Sequence, residues 1–523
     1  MAGSDWQKLI RESELQDGIP VPCDLGKKKV LVVKRGEQLH ACSGKCTHYG
    51  GPLAKGLLVG DVITCPWHNA RFDVTNGKAT APALDSLGCY ETRVENGEVY
   101  VRPKERTKPA VKPGTEGQFF VIVGAGAAGN AAAETLRNEG FGGRIVMVTP
   151  EKHLPYDRPN LSKEFLAGKA KVEWIPLRSS EFYEKEQIEV LTERAVVSVD
   201  PGKKSVALSN GEALSYDRLL LASGSRPRAL TIPGAELDGV FLLRSRDDTE
   251  AIIGALDGAR TAVVIGASFI GLEVAAALIE RKLKVHVVAP ETVPMARILG
   301  EPLGNYVRSL HEKHGVTFHL GVKPAGVDGA GRVRSVKLSN GTALSADLVI
   351  AGIGVTPAVE YLAGTSLVVE GQVPVDERLR TSEKDIFAAG DIAAAPYAPL
   401  GQRIRVEHWA VAERQGQHAA RSMLGSDAPY DEVPFFWSQH YDKSISYAGF
   451  GAGFDHVAQR GTIGDEGFLL GYYRGETLLA VASLWRDVEF MALSELIKMG
   501  RPIGFKQFQD ESLDLKGLLS AKP

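Results

Sequence analysis

No cysteine occurs between residues 90 and 523; all five (Cys23, Cys42, Cys46, Cys65 and Cys89) stand in the first 89 residues. A disulfide reductase needs a redox-active pair and a thiol peroxidase needs a reactive thiolate. The long C-terminal part can therefore do neither chemistry. Runs of like charge are scarce too. Lys27-Lys28-Lys29 is the longest basic run and the net charge is -3, which argues against a broad nucleic-acid-binding surface. Residues 1–5 carry neither the apolar core of a signal peptide nor an Arg-rich amphipathic stretch. The expectation is a reducing, cytoplasmic setting, with Cys23, Cys42 and Cys89 as small buried residues. No uninterrupted membrane span is present. Residues 261–279 are nearly all apolar, but Glu273 lies inside the run and Gly266 and Gly271 break it. A buried strand, a tight turn and a helix account for it better.

What the chain has in its front end is Cys46-Thr47-His48, followed by Cys65-Pro66-Trp67-His68. Two such pairs, one loop apart, suit a Rieske [2Fe-2S] cluster with Cys46, His48, Cys65 and His68 as ligands. One iron takes two thiolates and the other two imidazoles, and neutral histidine raises the cluster's potential. The competing reading is a Cys2His2 zinc site. Zinc sites usually pair like with like, two cysteines and then two histidines, whereas each half here has one of each.

Residues 1–103 read as an all-β domain, with alternating runs at 29–34, 57–63 and 98–102 and turn signals at Asn76-Gly77 and Asn96-Gly97. Residues 104–117 form a polar, Pro-bearing linker. From Gln118 a strand, a glycine turn and a helix occur twice. The first turn is Gly124-Ala-Gly126-Ala-Ala-Gly129 and the second Gly266-Ala-Ser268-Phe-Ile-Gly271. One such turn is a weak signal; two, each between strand and helix, point to two dinucleotide-binding domains. The fold class is thus multidomain: an all-β Rieske domain, two α/β dinucleotide-binding domains and an α+β C-terminal domain. The expected divisions are 118–235 and 353–428 for the first dinucleotide domain, 236–352 for the second, and 429–523 for the last.

Further motifs are LPYDRPNLSK from Leu154 to Lys163, LASG from Leu221, IGLE ending at Glu273, FAAGD ending at Asp391 and EHW ending at Trp409. On these, residues 118–523 resemble the two-dinucleotide flavoprotein reductases of the glutathione-reductase fold, nearest to oxygenase-coupled ferredoxin reductases and apoptosis-inducing factor. With the front domain added, the chain is similar to the apoptosis-inducing-factor-like Rieske flavoproteins. The resemblance implies FAD on the first glycine turn (Gly124, Gly126, Gly129) and a nicotinamide cofactor on the second (Gly266, Ser268, Gly271). A pyrophosphate suits a helix N-terminus where glycines expose N–H groups. The resemblance further implies Glu151 on the adenosine ribose, Arg158 on the pyrophosphate, Asp391 on a ribityl hydroxyl and Trp409 beside the isoalloxazine. The plain alternatives are a loop carboxylate for Glu151 and a core aromatic for Trp409. Lys163 and Glu273 are implied to meet beside flavin N5, where hydride arrives; otherwise Glu273 only favours the helix dipole. Ser268 replaces the usual second glycine. Ala289 stands where an acid for the NAD ribose is usual, Glu291 lies two residues on, and Arg297 is nearby. NADH is expected over NADPH.

The resulting expectation is an NAD(P)H-dependent FAD reductase passing electrons through the cluster to an external one-electron acceptor, whether oxygenase, cytochrome or another redox protein. The alternatives are an NADH-responsive sensor that changes a partner contact, and a flavin oxidase with a zinc-bound β domain. Phe435, Phe436 and Trp437 are expected to pack over the flavin or at an interface, the latter making a homodimer.

Overall fold

The computed structural model describes residues 6–103, 110–464, 466–501 and 503–520. Residues 1–5, read above for targeting signals, and 104–109 of the expected linker lie outside the described residues. Residues 110–117 pack against the first dinucleotide unit instead of crossing open space. The Lys112 N–H donates to the Gly140 carbonyl at 2.7 Å, and the Gly142 N–H donates to Thr115 Oγ1 at 2.9 Å.

The front domain is antiparallel. Its six-stranded sheet runs Gln7–Arg11, Glu98–Pro103, Cys89–Glu95, Gln38–Ser43, Lys28–Arg35, Val21–Leu25. In Lys28–Arg35 the period of two feeds two cores. Val30 and Val32 pack with Cys23, Ala41, Val99 and Val101, while Leu31 and Val33 pack with Cys42, Cys46 and Cys65. Cys23 and Cys42 are buried as expected, but Cys89 is only half-buried. Asn96 and Gly97 have φ of 53° and 75°, the paired left-handed residues of a two-residue hairpin turn. The apolar run 57–63 is not one strand. It folds back at Gly60 (φ 56°) into Leu57–Val59 and Val62–Thr64, the start of a four-stranded sheet completed by Arg71–Asp73 and Ala79–Thr80.

Two parallel five-stranded sheets follow. The first runs Ile188–Leu191, Arg144–Val148, Phe119–Val123, Arg218–Leu221, Ile386–Ala388; the second runs Val240–Leu242, Leu348–Ala351, Thr261–Ile265, Lys284–Ala289, Thr317–Leu320. Their strands are mostly apolar because each sheet is covered on both faces, with charged residues such as Arg144, Arg218 and Lys284 at strand starts and Glu189 on an edge strand. The segment from 261 resolves into strand Thr261–Ile265 and helix Phe269–Glu280. Among the described residues no helix is long and apolar enough to cross a membrane. The last domain is a five-stranded antiparallel sheet, Phe435–His440, Lys443–Gly449, Thr477–Leu484, Phe468–Arg474, His456–Gly461, backed by helix Asp487–Lys498.

The front domain docks on its own chain. Arg414 of helix Trp409–Met423 donates to the carbonyls of Ala81 (3.0 Å) and Asn69 (2.7 Å), and Gln417 accepts from the Ala81 N–H. Leu57 enters the core of the C-terminal domain. Arg71 pairs with half-buried Glu432, which Arg414 and Lys498 also approach, each at 3.6 Å. Burial alone would push the Glu432 carboxyl up; Arg71, Arg414 and Lys498 overcome this and hold it at about 2. A depressed carboxyl stabilises the folded state above its ordinary value of 4.5, and that contribution is lost as pH falls toward 2. Its size is about 3 kcal/mol. Urea midpoints measured between about pH 6 and pH 3 should therefore fall more steeply for the unmodified protein than for Glu432→Gln. Parallel declines would refute the assignment.

Candidate functional site

The two ligand loops are one turn built twice. Cys46 N–H donates to the Gly51 carbonyl at 2.9 Å, and Cys65 N–H donates to the Ala70 carbonyl at 2.8 Å, five residues on in both cases. The Cys46 carbonyl accepts from Gly50 and the Cys65 carbonyl from Asn69, four residues on, and these two residues carry the left-handed φ of 77° and 54°. Each turn aims backbone N–H groups at its sulfur: those of His48 and Tyr49 at Cys46, those of Trp67 and His68 at Cys65. The thiols share a hydrogen bond, which lowers Cys46 to about 7 and pushes Cys65 up. His48 and His68 lie with ring centroids 5.0 Å apart. Burial first, then His68, pushes His48 down to about 3; burial first, then Lys163, pushes His68 down to about 4. Both are neutral imidazoles at pH 7, as metal ligation requires. His48 Nδ1 is buried with no hydrogen-bond partner among the described residues, and an orphaned buried nitrogen is costly unless something occupies it. This donor set, with sulfurs already receiving N–H groups, fits a [2Fe-2S] cluster.

The glycine turns also repeat one geometry. A Cβ on Gly124 would stand 2.2 Å from the Ala222 carbonyl oxygen, and one on Gly129 1.9 Å from that of Gly124. In the second turn, Gly266 would meet the Gly352 oxygen at 2.3 Å and Gly271 the Gly266 oxygen at 2.2 Å. Outer glycines are thus demanded by strand–helix packing. At Gly126, among the described residues, only Arg158 Nε comes within 4 Å of an added Cβ, so an open cradle with a cation at its rim faces the N-terminus of helix Ala127–Asn138, which suits a pyrophosphate. Ser268, the counterpart of Gly126, is exposed with no side-chain cap bond, so it too leaves space.

Arg158 pairs with Glu151, and Tyr156 donates to the same carboxylate. Asp391 is buried; it accepts from Ser225 Oγ at 2.5 Å and Arg244 Nη2 at 3.1 Å. Trp409 opens helix Trp409–Met423, half-buried against the first dinucleotide core, and its indole donates to Glu413. Glu291 is an exposed loop residue beyond strand Lys284–Ala289.

Lys163 and Glu273 come from different domains and meet. Lys163 Nζ donates to Glu273 Oε2 at 2.7 Å, Ser162 Oγ donates to the same oxygen at 2.6 Å, and Ser438 Oγ donates to Oε1 at 2.7 Å. Burial alone would raise the Glu273 carboxyl; the Lys163 charge and these three bonds outweigh it and hold it below its ordinary value. Above this pair sits the front domain. His68 packs on Trp437 at 4.6 Å between centroids and His48 lies 6.3 Å from the same ring. Tyr49 Oη donates to Asp157 at 2.6 Å, within the segment that ends in Lys163. The His48 and His68 rings, the Trp437 indole and, through neighbouring Ser438, the Lys163–Glu273 pair thereby lie together.

Sequence reading left Ser438, His440, Ser162, Tyr49, Arg71, Arg414 and Glu432 unassigned. Only Ser438 and His440 carried a signal: at spacing two on a strand they share one face.

Fold and site together define a flavoprotein reductase that carries its own iron–sulfur domain. The sequence matches the Rieske [2Fe-2S] domain over residues 5–91, pyridine nucleotide-disulphide oxidoreductase over 119–416 and the reductase C-terminal domain over 435–519. The chain belongs to the pyridine nucleotide-disulphide oxidoreductase family and is homologous to apoptosis-inducing factor 3 and to ferredoxin reductases. Human apoptosis-inducing factor 3 is 38% identical over 94% of this chain and 83% of its own length. Rhodocoxin reductase of Rhodococcus erythropolis is 37% identical over 76% of this chain and 93% of its own. The putidaredoxin reductase–putidaredoxin covalent complex superposes with TM-score 0.73 at 33% identity, covering 77% of this chain and 98% of that one. This is an FAD-dependent NAD(P)H oxidoreductase with a [2Fe-2S] cluster; the zinc alternative falls. Despite the family's description, no thiol lies beyond Cys89.

Proposed function

We propose that this chain moves electrons from NADH through FAD to its own Rieske cluster and on to an external one-electron acceptor, such as an oxygenase, a cytochrome or a ferredoxin-type protein. The observation that carries this reading is the stack of His68, Trp437 and Lys163–Glu273, in which the Lys163 charge reaches His68. A bound flavin supplies hydride acceptance and the release of electrons one at a time. In this reading Lys163 and Glu273 position the nicotinamide as a net-neutral pair, Arg158 and the Gly126 cradle hold the FAD pyrophosphate, Glu151 its ribose, Asp391 its ribityl chain, and Trp409 lies beside its ring. Gly266, Ser268 and Gly271 hold the nicotinamide cofactor's pyrophosphate. Ala289 at the usual acid position and exposed Glu291 nearby favour NADH over NADPH. One relative was solved as a reductase covalently joined to its putidaredoxin; carrying the iron–sulfur domain in the same chain makes such a pairing permanent and raises its effective concentration.

Anaerobic stopped-flow mixing with NADH tests this. Flavin bleaching should be followed by cluster reduction, read separately by freeze-quench EPR, at a rate independent of protein concentration. A cluster that stays oxidised while the flavin bleaches removes it from the path. A rate that rises with protein concentration moves the transfer between chains. The likeness to apoptosis-inducing factor 3 favours a second reading, an NADH-responsive sensor. It predicts slow turnover and a sedimentation change on NADH addition.

A further inference from the structure

A line of hydrogen bonds leads from Glu273 outward to half-buried Tyr441. Ser438 Oγ donates to Glu273 Oε1 at 2.7 Å; His440 Nε2 lies 3.2 Å from Ser438 Oγ; His440 Nδ1 lies 3.1 Å from His311 Nε2; and His311 Nδ1 lies 3.3 Å from Tyr441 Oη. Ser438, His440 and His311 are buried, Tyr441 is half-buried, and its ring stacks at 3.6 Å on exposed His314. The first link joins helix Phe269–Glu280 to strand Phe435–His440, the second runs along that strand, and the last two reach His311 of the helix ending at Lys313.

The directions of the links follow from chemistry. Glu273 is an ionised acceptor, so Ser438 spends its only hydrogen there. His440 must then donate to Ser438 from Nε2. Burial first, opposed by Glu273 and aided by Lys163, pushes His440 down to about 4; burial, His440 and His314 push His311 well below its ordinary value; burial and Glu280 push Tyr441 up. All three are neutral at pH 7. A neutral His440 with hydrogen on Nε2 accepts at Nδ1 from His311 Nε2–H, and His311 accepts at Nδ1 from the Tyr441 hydroxyl. Every donor in the resting line therefore faces Glu273. Each member can turn: the serine by rotating its hydroxyl, each imidazole by exchanging which nitrogen holds the hydrogen.

The reaction needs such a line. Oxidation of NADH by a one-electron acceptor gives NAD+, two electrons and one proton. The electrons have the cluster as an exit, whereas the proton is left in a buried place. We propose that Ser438, His440, His311 and Tyr441 form a proton path joining Glu273 to solvent. The path rests on the reading that Lys163 and Glu273 stand at the flavin.

Two measurements on the full holoprotein test it. Histidine 15N NMR at pH 7 should give His311 and His440 as neutral Nε2–H tautomers; a charged ring or an Nδ1–H tautomer at either would overturn the path. In the second, NADH-reduced protein is oxidised by ferricyanide: NADH plus two ferricyanide gives NAD+, one proton and two ferrocyanide. An indicator dye reads the proton while absorbance reads the flavin. In the unmodified protein the two signals should coincide. In His440→Gln the proton should trail flavin oxidation by about tenfold, and His311→Gln should show the same lag, so loss of folding in one variant leaves the other. His440→Ala should recover with added imidazole. Proton release that keeps pace in His440→Gln or His311→Gln would overturn the path. Ferricyanide takes electrons whether or not the cluster relays them, and the NMR needs no NADH, so a failure of the electron route is told apart from a failure of the proton route.

Discussion

Alanine in place of His48 is expected to cut NADH-driven reduction of an external one-electron acceptor by about a hundredfold or more, while flavin bleaching by NADH persists. His48 sits at the tip of its loop, with Nδ1 buried and unpartnered. In the proposed reading its removal takes a ligand from one iron, while the backbone turns at Cys46 and Cys65 keep their hydrogen bonds. The contacts that seat the domain, Arg414 to Asn69 and Ala81 and Arg71 to Glu432, lie elsewhere. The Lys163–Glu273 pair is on other domains altogether. The expected result is therefore a protein with normal flavin absorbance, no Rieske EPR signal after dithionite, and a flavin that NADH reduces but a cytochrome-type acceptor cannot drain. Acceptor reduction at the full rate in His48→Ala would show that electrons bypass the cluster.

What was legible in the sequence was whatever local backbone geometry enforces. The glycine turns could be read because Gly124, Gly129, Gly266 and Gly271 leave no room for a Cβ. The ligand loops could be read because two imidazoles and two thiolates at that spacing suit few sites. Lys163 with Glu273 came from a family resemblance, not from spacing, since 110 residues separate them. Contacts between domains were not legible. Nothing near Arg71 announces Glu432, 361 positions later, and no periodicity says that Trp437 meets two histidines of the front domain. The run 57–63 was misread because apolar pattern outvoted Gly60, whose left-handed φ ends the strand. The linker's far half is packed because Thr115 finds a backbone donor in Gly142.

Replacing Lys163 with methionine is expected to cost roughly 3–5 kcal/mol of stability and to slow flavin reduction by NADH about a hundredfold. Glu273 is 5% exposed, so its charge has little water to fall back on. Ser162 and Ser438 would still donate to it, but the cation that outweighs burial would be gone, and the carboxyl should rise above its ordinary value. The pH dependence then changes sign. In the unmodified protein the folded carboxyl lies below 4.5, so its contribution is present above that pH and lost on acidification. In Lys163→Met the folded carboxyl lies above it, so ionisation opposes folding and stability falls as pH rises toward neutral. The double variant Lys163→Met with Glu273→Leu removes the stranded charge and should regain most of the stability. It should not regain the rate if, as proposed, the charged pair positions the nicotinamide, because an apolar pair cannot do so. Unfolding midpoints at two pH values and single-turnover flavin bleaching for the three proteins decide this. If the double variant recovers both stability and rate, the pair is a structural tie between domains and the hydride is handled elsewhere.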